Sequence, residues 1–357
     1  MTSRSEPVGR AVVVGTGLIG GSIGLALRAQ RWHVTGRDLD AARSARALEL
    51  GALDAVGDDP ATDVTFVCTP VLAIAAEARA ALAGGGVVTD VGSVKHPVVS
   101  AVSHARFVGG HPMAGSEQEG VDGADPSLFE GATWVLTPTV DTDAEAYTRV
   151  RSVVTSLGAD VVALHPAQHD EMVALVSHVP HLAAATLMTL AARETEEHAA
   201  VLRLAAGGFR DMTRVAAGHP GIWPDICAEN REAIVDALDR LVSALGTMRD
   251  LVDRGDRPGL LAALDAARAA RVNLPARVVT AEGLAELRVP VPDRPGVLAE
   301  VTTLLGELGV NIVDLEIAHS VEGPRGVLVV VVEEGDAGPA AKALVHRGYR
   351  PSSRPLE

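Results

Sequence analysis

The chain has 357 residues, well above the roughly 150 typical of one domain, and its 47% apolar and 22% charged composition excludes a disordered chain. A formal net charge of −15 argues against a nucleic-acid backbone or an anionic membrane surface as partner. Two cysteines, Cys68 and Cys227, cannot build a disulfide framework. The opening MTSRSEPVGR lacks the apolar centre of a signal peptide, and the apolar run Val173–Ala192 is interrupted by His178, Pro180 and His181. A soluble protein of the reducing cytoplasm is therefore expected.

From Ala11 to about Ala163, short β-branched runs alternate with Ala- and Leu-rich helical stretches. The strand candidates are Ala11–Val14, Val34–Arg37, Val64–Val67, Val87–Asp90, Thr133–Leu136 and Asp160–Ala163. This rhythm predicts a parallel, doubly wound sheet over residues 1–164. The first run leads into Gly15-Thr16-Gly17-Leu18-Ile19-Gly20 and then a helix, the G-x-G-x-x-G arrangement of a Rossmann dinucleotide site. Gly15 permits the tight turn, Gly17 a close approach of backbone to pyrophosphate, and Gly20 the packing of helix on strand. Leu18 and Ile19 open the helix whose N-terminus attracts the anion. Asp38 ends the second strand about 20 residues beyond Gly15, where an acid meets the ribose 2′-hydroxyl. A carboxylate there would repel a 2′-phosphate, which favours NAD; Arg37 beside it leaves NADP as the alternative.

Two further loops, Thr89–Lys95 and Gly109–Glu117, are expected at the carboxyl ends of strands, over the nicotinamide. They bring Ser93 and His111 to the cofactor. A neutral imidazole suits removal of a hydroxyl proton as hydride leaves, so His111 is the candidate base. Cys68 reads as a small buried residue.

From about His165 to Asn273 the strand pattern gives way to long amphipathic helices, exemplified by Met172–Arg193 and Ile222–Arg254, and an all-helical domain is expected over 165–274. It carries Ser177-His178-Val179-Pro180-His181, with two imidazoles one turn apart, and Gly207–Arg214 followed by Trp223. Arg214 can clamp a carboxylate bidentately, or it pairs with Asp211 at the surface. His165 and His169, with His178 and His181, also invite a zinc reading, but no cysteine or carboxylate pattern completes a ligand set and hydride transfer to NAD requires no metal.

Asn273–Glu282 reads as a linker. Beyond it, a strand at Leu284–Val291, the turn Asp293–Gly296, a helix to Leu308, strands at Asn311–Ala318 and Val327–Glu333 and a helix at Pro339–Arg347 predict a small α+β module over 283–357.

The ordered set GTGLIGGSIGLAL, DVGSVK, GGHPMAGSE, SHVPH and GGFRDMTR with Trp223 following resembles the prephenate/arogenate dehydrogenases, and VPDRPGVLAEV with LGVNIVDLEI resembles an ACT regulatory domain. The resemblance implies an NAD-dependent oxidative decarboxylation giving 4-hydroxyphenylpyruvate from prephenate, or tyrosine from arogenate. It implies that His111 takes the proton of the ring 4-hydroxyl and that Ser93 orients this histidine and the nicotinamide. His181 and Arg214 would bind substrate, Arg214 through a carboxylate. Ser116 and Glu117 match the rim of the site, and His178 and Trp223 lie in matching segments. It further implies a homodimer through the helical domain. The ACT-like segment would hold an amino acid, tyrosine as feedback inhibitor, between Asp293, Pro295, Gly296 and the segment reaching Asn311, or serve only in dimerisation. A dehydrogenase of β-hydroxy acids and a non-catalytic NAD and amino-acid sensor are the alternatives; neither accounts for the joint presence of Ser93, His111, His181 and Arg214.

Overall fold

A computed structural model describes residues 7–116, 118–197, 201–273, 283–292, 297–319 and 325–355. The chain divides into two compact units, Met1–Ala269 and Ala270–Glu357.

The first unit begins with an eight-stranded sheet: β1 (Arg10–Val14), β2 (His33–Arg37), β3 (Ala55–Val56), β4 (Val64–Val67), β5 (Val87–Asp90), β6 (Phe107–Pro112), β7 (Thr133–Thr137) and β8 (Asp160–Ala163), in the order β3-β2-β1-β4-β5-β6-β7-β8. The connecting helices are α1 (Leu18–Ala29), α2 (Ala41–Glu49), α3 (Val71–Leu82), α4 (His96–Ala101) and α5 (Ala144–Ser156). β1, β4 and β5 are almost wholly buried, which is why they read as continuous apolar runs rather than alternating ones. The strand order reverses direction at β1 and β4, and the crevice beyond their carboxyl ends is where such sheets take a ligand.

The sheet departs from the expected parallel arrangement at one place. β6 and β7 pair antiparallel, with His111 opposite Val135 and Pro112 opposite Trp134. Among the described residues of 113–132 the regular structure is a 3-10 turn at Val121–Gly123 with no crossover helix, which favours an antiparallel return. In consequence Gly109–Pro112 is strand rather than loop, and His111 projects from the sheet itself. Trp134 packs against Phe66 and Phe129 beneath it, all three fully buried.

The helical part comprises α6 (Pro166–Val173), α7 (Val179–Glu197), α8 (Gly207–Thr213), α9 (Trp223–Glu229), α10 (Arg231–Asp253) and α11 (Arg257–Val272). The two long helices expected from periodicity are each broken. A π turn, Ala174–His178, separates α6 from α7. Pro180, in the first turn of α7, has no amide to give a preceding carbonyl, and the wider turn accommodates that loss. Asn230 separates α9 from α10, which places Trp223 on a short helix of its own.

The second unit is an antiparallel sheet of β9 (Leu284–Pro292), β10 (Ile312–His319), β11 (Arg325–Glu333) and β12 (Ser352–Pro355), ordered β10-β11-β9-β12, with α12 (Val297–Glu307) and α13 (Glu334–His346). Leu287, Val289, Leu328 and Val330 from the sheet close a core with Val301, Leu305 and Leu344 from the helices. α13 begins five residues earlier than expected, at Glu334, so that Pro339 lies inside the helix and withholds one backbone donor there. Asn311 is exposed ahead of β10, whereas Asp293, Pro295 and Gly296 lie outside the described residues.

Candidate active site

The crevice at the switch point is shaped by glycine. Gly15 leaves β1 at φ +94°, and a Cβ there would stand 2.5 Å from the Cys68 carbonyl oxygen at the end of β4. A Cβ on Gly20 would stand 2.0 Å from the Gly15 carbonyl, so helix and turn can meet only without it. Gly17 instead faces open space and caps α1 without a side-chain acceptor, which leaves the first-turn amides available to an anion. Ile19 packs on the core of the sheet, and the Leu18 carbonyl accepts the Ser22 hydroxyl at 2.8 Å. The Asp38 carboxylate is fixed at the end of β2 by the Thr16 and Asp40 amides, at 2.8 and 3.0 Å. Arg37 turns away to Asp58 and Glu77, at 2.9 and 2.6 Å. Its charge is thus committed to two carboxylates, and the cradle fits the free ribose hydroxyls of NAD rather than a 2′-phosphate.

Next to this crevice lies a buried polar cluster. Asp90, the last residue of β5, accepts the Gly110 amide at 3.1 Å and the Gly92 amide at 2.9 Å, and binds the Lys95 ammonium. Lys95 also donates to the Gly110 carbonyl at 2.7 Å. Both charged side chains are completely buried. Their pairing ties the loop carrying half-buried Ser93 to the strand carrying His111.

His111 is buried, and its Nδ1 lies 2.8 Å from His169 Nε2; the two rings meet edge to face. His169 Nδ1 in turn lies 2.7 Å from Asp170 Oδ1. Asp170 accepts the backbone amides of Lys95 at 2.7 Å and His96 at 2.8 Å, so one carboxylate on α6 caps α4 of the sheet region and anchors the imidazole pair. Burial, reinforced by His169, Lys95 and His178, holds the His111 pKa well below its ordinary 6.5. The imidazole is therefore neutral at pH 7 and able to accept a proton.

On the helical side, His178 closes the π turn and is buried, its Nδ1 3.3 Å from the Asn230 amide nitrogen. Desolvation lowers its pKa to about 4. His181 stacks on Trp223 with ring centroids 3.7 Å apart and planes 13° from parallel, while His178 meets the edge of the same indole. Trp223 thus contacts the two histidines one turn apart and orients them. Arg214 is exposed at the end of α8. Ser116 is exposed and accepts the Gln118 amide at 3.0 Å, in a segment that lines a pocket with Asp125 and Leu128. Glu117 lies outside the described residues.

The structure therefore brings His111, Ser93, His178, His181 and Trp223 into one region and adds Asp90, Lys95, His169, Asp170 and Asn230, to which sequence reasoning gave no such role. His169 entered only as a possible zinc ligand; it is instead bonded to His111 and Asp170, and among the described residues no group of three or more such side chains is placed to hold a metal. A usable signal was the buried lysine in Asp90–Lys95, since a lysine among apolar neighbours needs an acid. Pro166–Arg193 is long and apolar enough to cross a membrane by composition alone. Its His169, Asp170 and His178, however, bond to the sheet region and to Asn230, the contacts of a helix seated against protein.

Comparison with known proteins shows the family. Residues 23–163 match the family model described as prephenate dehydrogenase, nucleotide-binding domain; 165–266 match prephenate dehydrogenase, dimerization domain; and 285–344 match the ACT domain. The prephenate dehydrogenase of Bacillus subtilis is 34% identical over 91% of this chain and 92% of its own length. Among solved structures, prephenate dehydrogenase of Aquifex aeolicus, in complex with hydroxyphenyl propionate and NAD+, superposes with a TM-score of 0.70 at 30% identity, covering 77% of this chain and all of that one. Synechocystis arogenate dehydrogenase gives 0.64 at 32% identity, covering 73% and 98%. With its NAD cradle, its buried neutral histidine and matches along most of its length, this chain belongs to the prephenate dehydrogenase family.

Proposed function

We propose that the protein oxidises prephenate with NAD to 4-hydroxyphenylpyruvate and carbon dioxide. The observation that carries this reading is His111: buried, neutral, anchored through His169 to Asp170, and adjoining the crevice that takes NAD. NAD supplies the hydride acceptor. The protein's own residues position and deprotonate. His111 takes the proton of the ring hydroxyl as hydride leaves the carbon that bears it, the ring carboxylate departs as carbon dioxide, and the ring becomes aromatic. Ser93 lies on the loop cinched by Asp90 and Lys95, where it holds the nicotinamide against His111. His181 and His178, braced by Trp223, face the substrate, with Arg214 meeting a carboxylate and Ser116 and Glu117 supplying further polar groups to it.

Arogenate is the second reading. It carries the carboxylates of prephenate and differs at the side-chain amino group, and the relative from Synechocystis is an arogenate dehydrogenase. NADH formation at 340 nm with NAD and each substrate distinguishes them through the ratio of kcat/KM values. Prephenate is expected to give the larger value; silence with both substrates despite NAD binding refutes the reading. The same assay with tyrosine tests the regulatory part of the proposal, in which the ACT segment binds tyrosine near Asn311 together with Asp293, Pro295 and Gly296. Inhibition is expected, and rates indifferent to tyrosine reject it.

The functional division follows residues 1–164 for the cofactor, 165–274 for substrate and dimerisation and 283–357 for regulation, in a cytoplasmic enzyme. The helical region exposes Val235, Val242, Leu245 and Val252 along α10 and Leu261 and Leu264 on α11, a hydrophobic surface suited to a twofold partner. A solution mass of twice 36.8 kDa by light scattering is the expected result, and a monomer mass at micromolar concentration excludes the dimer.

A further inference from the structure

The geometry points to Asp170 and Asn230 as positioning residues that fix the protons of two buried histidines in opposite senses, leaving His111 Nε2 a bare acceptor and His178 Nε2 a hydrogen-bond donor to the substrate. This deepens the assignment of His111 as base and rests on it.

The bond directions follow from the partners that can only donate. The Asp170 carboxylate already accepts two backbone amides, those of Lys95 and His96, which can only donate. A carboxylate so held is an acceptor, and His169 Nδ1, 2.7 Å away, must carry the proton. With the single imidazole proton on Nδ1, the other nitrogen, Nε2, is a lone pair. His111 Nδ1 lies 2.8 Å from it and has to donate, which leaves the lone pair of neutral His111 on Nε2. That is the atom free to accept a hydroxyl proton.

The second chain starts at the backbone of the same residue. The Asn230 side-chain nitrogen donates to the Asp170 carbonyl at 2.9 Å, and this fixes which end of the amide is nitrogen. The same nitrogen lies 3.3 Å from His178 Nδ1. An amide nitrogen has no lone pair to offer, so His178 Nδ1 accepts and its proton resides on Nε2. His178 Nε2 is buried and has no partner among the described residues, and a buried donor without a partner is costly unless a ligand completes it. The ionisable groups facing the pair are His169 and Asp170 on α6 and Lys95 beside α4, with His111 and His178 facing one another. The site thus presents one imidazole acceptor and one imidazole donor, matched to a hydroxyl that must lose its proton while its oxygen, or a neighbouring substrate oxygen, gains a hydrogen bond.

The test has an arm that needs no turnover. In the full-length protein labelled with 15N-histidine, NMR near pH 8 is expected to show His111 protonated on Nδ1 and His178 on Nε2, the signals assigned by their loss in His111→Asn and His178→Gln. Either imidazole in the other tautomer overturns the proposal, whether or not prephenate is turned over. The kinetic arm separates positioning from packing. His169→Phe, which removes the acceptor, is expected to lower kcat about 100-fold, whereas His169→Gln, whose amide oxygen can replace Nε2, recovers at least about tenfold. Asn230→Leu is expected to raise KM about tenfold with kcat little changed, since a donor to bound substrate acts in both ground and transition states. All three variants are expected to bind NAD as the parent does. Equal losses in His169→Phe and His169→Gln would mean that the side chain merely fills space, and would refute its role.

Discussion

Replacing His111 by Asn is expected to lower kcat by about 10²–10⁴-fold while leaving NAD affinity unchanged. Asparagine keeps a polar group of similar reach but cannot accept and hold a proton, whereas the cradle of Gly15, Gly20 and Asp38 that takes the cofactor does not depend on this side chain. Fluorescence titration with NADH beside stopped-flow turnover separates the two effects, and undiminished turnover removes His111 from the mechanism. The pH dependence follows from the same environment. Because burial, His169, Lys95 and His178 depress the His111 pKa below 6.5, the base is fully available at neutral pH and the rate should fall only on acidification below 6.5. An acid limb centred above that value contradicts the environment described.

Stability carries the same sign. His111 and His178 bind protons less readily in the folded state, so the unfolded chain holds more protons below its ordinary histidine pKa. Their contribution is fully present above pH 6.5 and is lost as the pH falls below it, for His178 down to its folded value of about 4. For His178 the loss reaches about 3 kcal/mol at most.

Lys95→Met should cost about 3–5 kcal/mol of folding stability, the second large effect. The ammonium is entirely buried and meets Asp90 and the Gly110 carbonyl; methionine fills the volume but leaves the Asp90 carboxylate buried with backbone amides alone for company. A burial this complete removes the solvent that makes exposed pairs weak. The fall in Tm should be on the order of 10 °C. Adding Asp90→Asn removes the orphaned charge, and the double variant should recover part of the loss. A Lys95→Met protein as stable as the parent would refute a stabilising role for the pair. The substitution also withdraws a positive charge facing His111, so the acid limb of the surviving activity should move to higher pH.

These effects centre on residues whose importance was unevenly visible in the sequence. Gly15, Gly17, Gly20 and Asp38 were legible because a dinucleotide cradle is local: strand, turn and helix are consecutive, and the acid follows one βα unit later. His111 was legible by its place after a strand and by resemblance. Its antiparallel strand is not legible from the β-branched rhythm, because the pairing of β6 with β7 departs from the parallel arrangement that rhythm predicts. The breaks at Pro180 and Asn230 were hidden beneath apolar periodicity, which continues across a π turn or a single non-helical residue without changing phase enough to be seen.

The sequence by itself therefore determined the order of the parts, the nucleotide cradle and the identity of the candidate base, since each depends on residues near one another along the chain. Only the tertiary structure decided how that base is held. His169 reaches His111 across 58 positions, Asp170 reaches the Lys95 amide across 75, and Asn230 reaches His178 across 52. Burial compels each polar group to find a partner, but the compulsion names no address in the sequence. The partner is whichever group the packing of α6, the π turn and α4 brings within 3 Å or so, and that packing is a property of the whole folded unit.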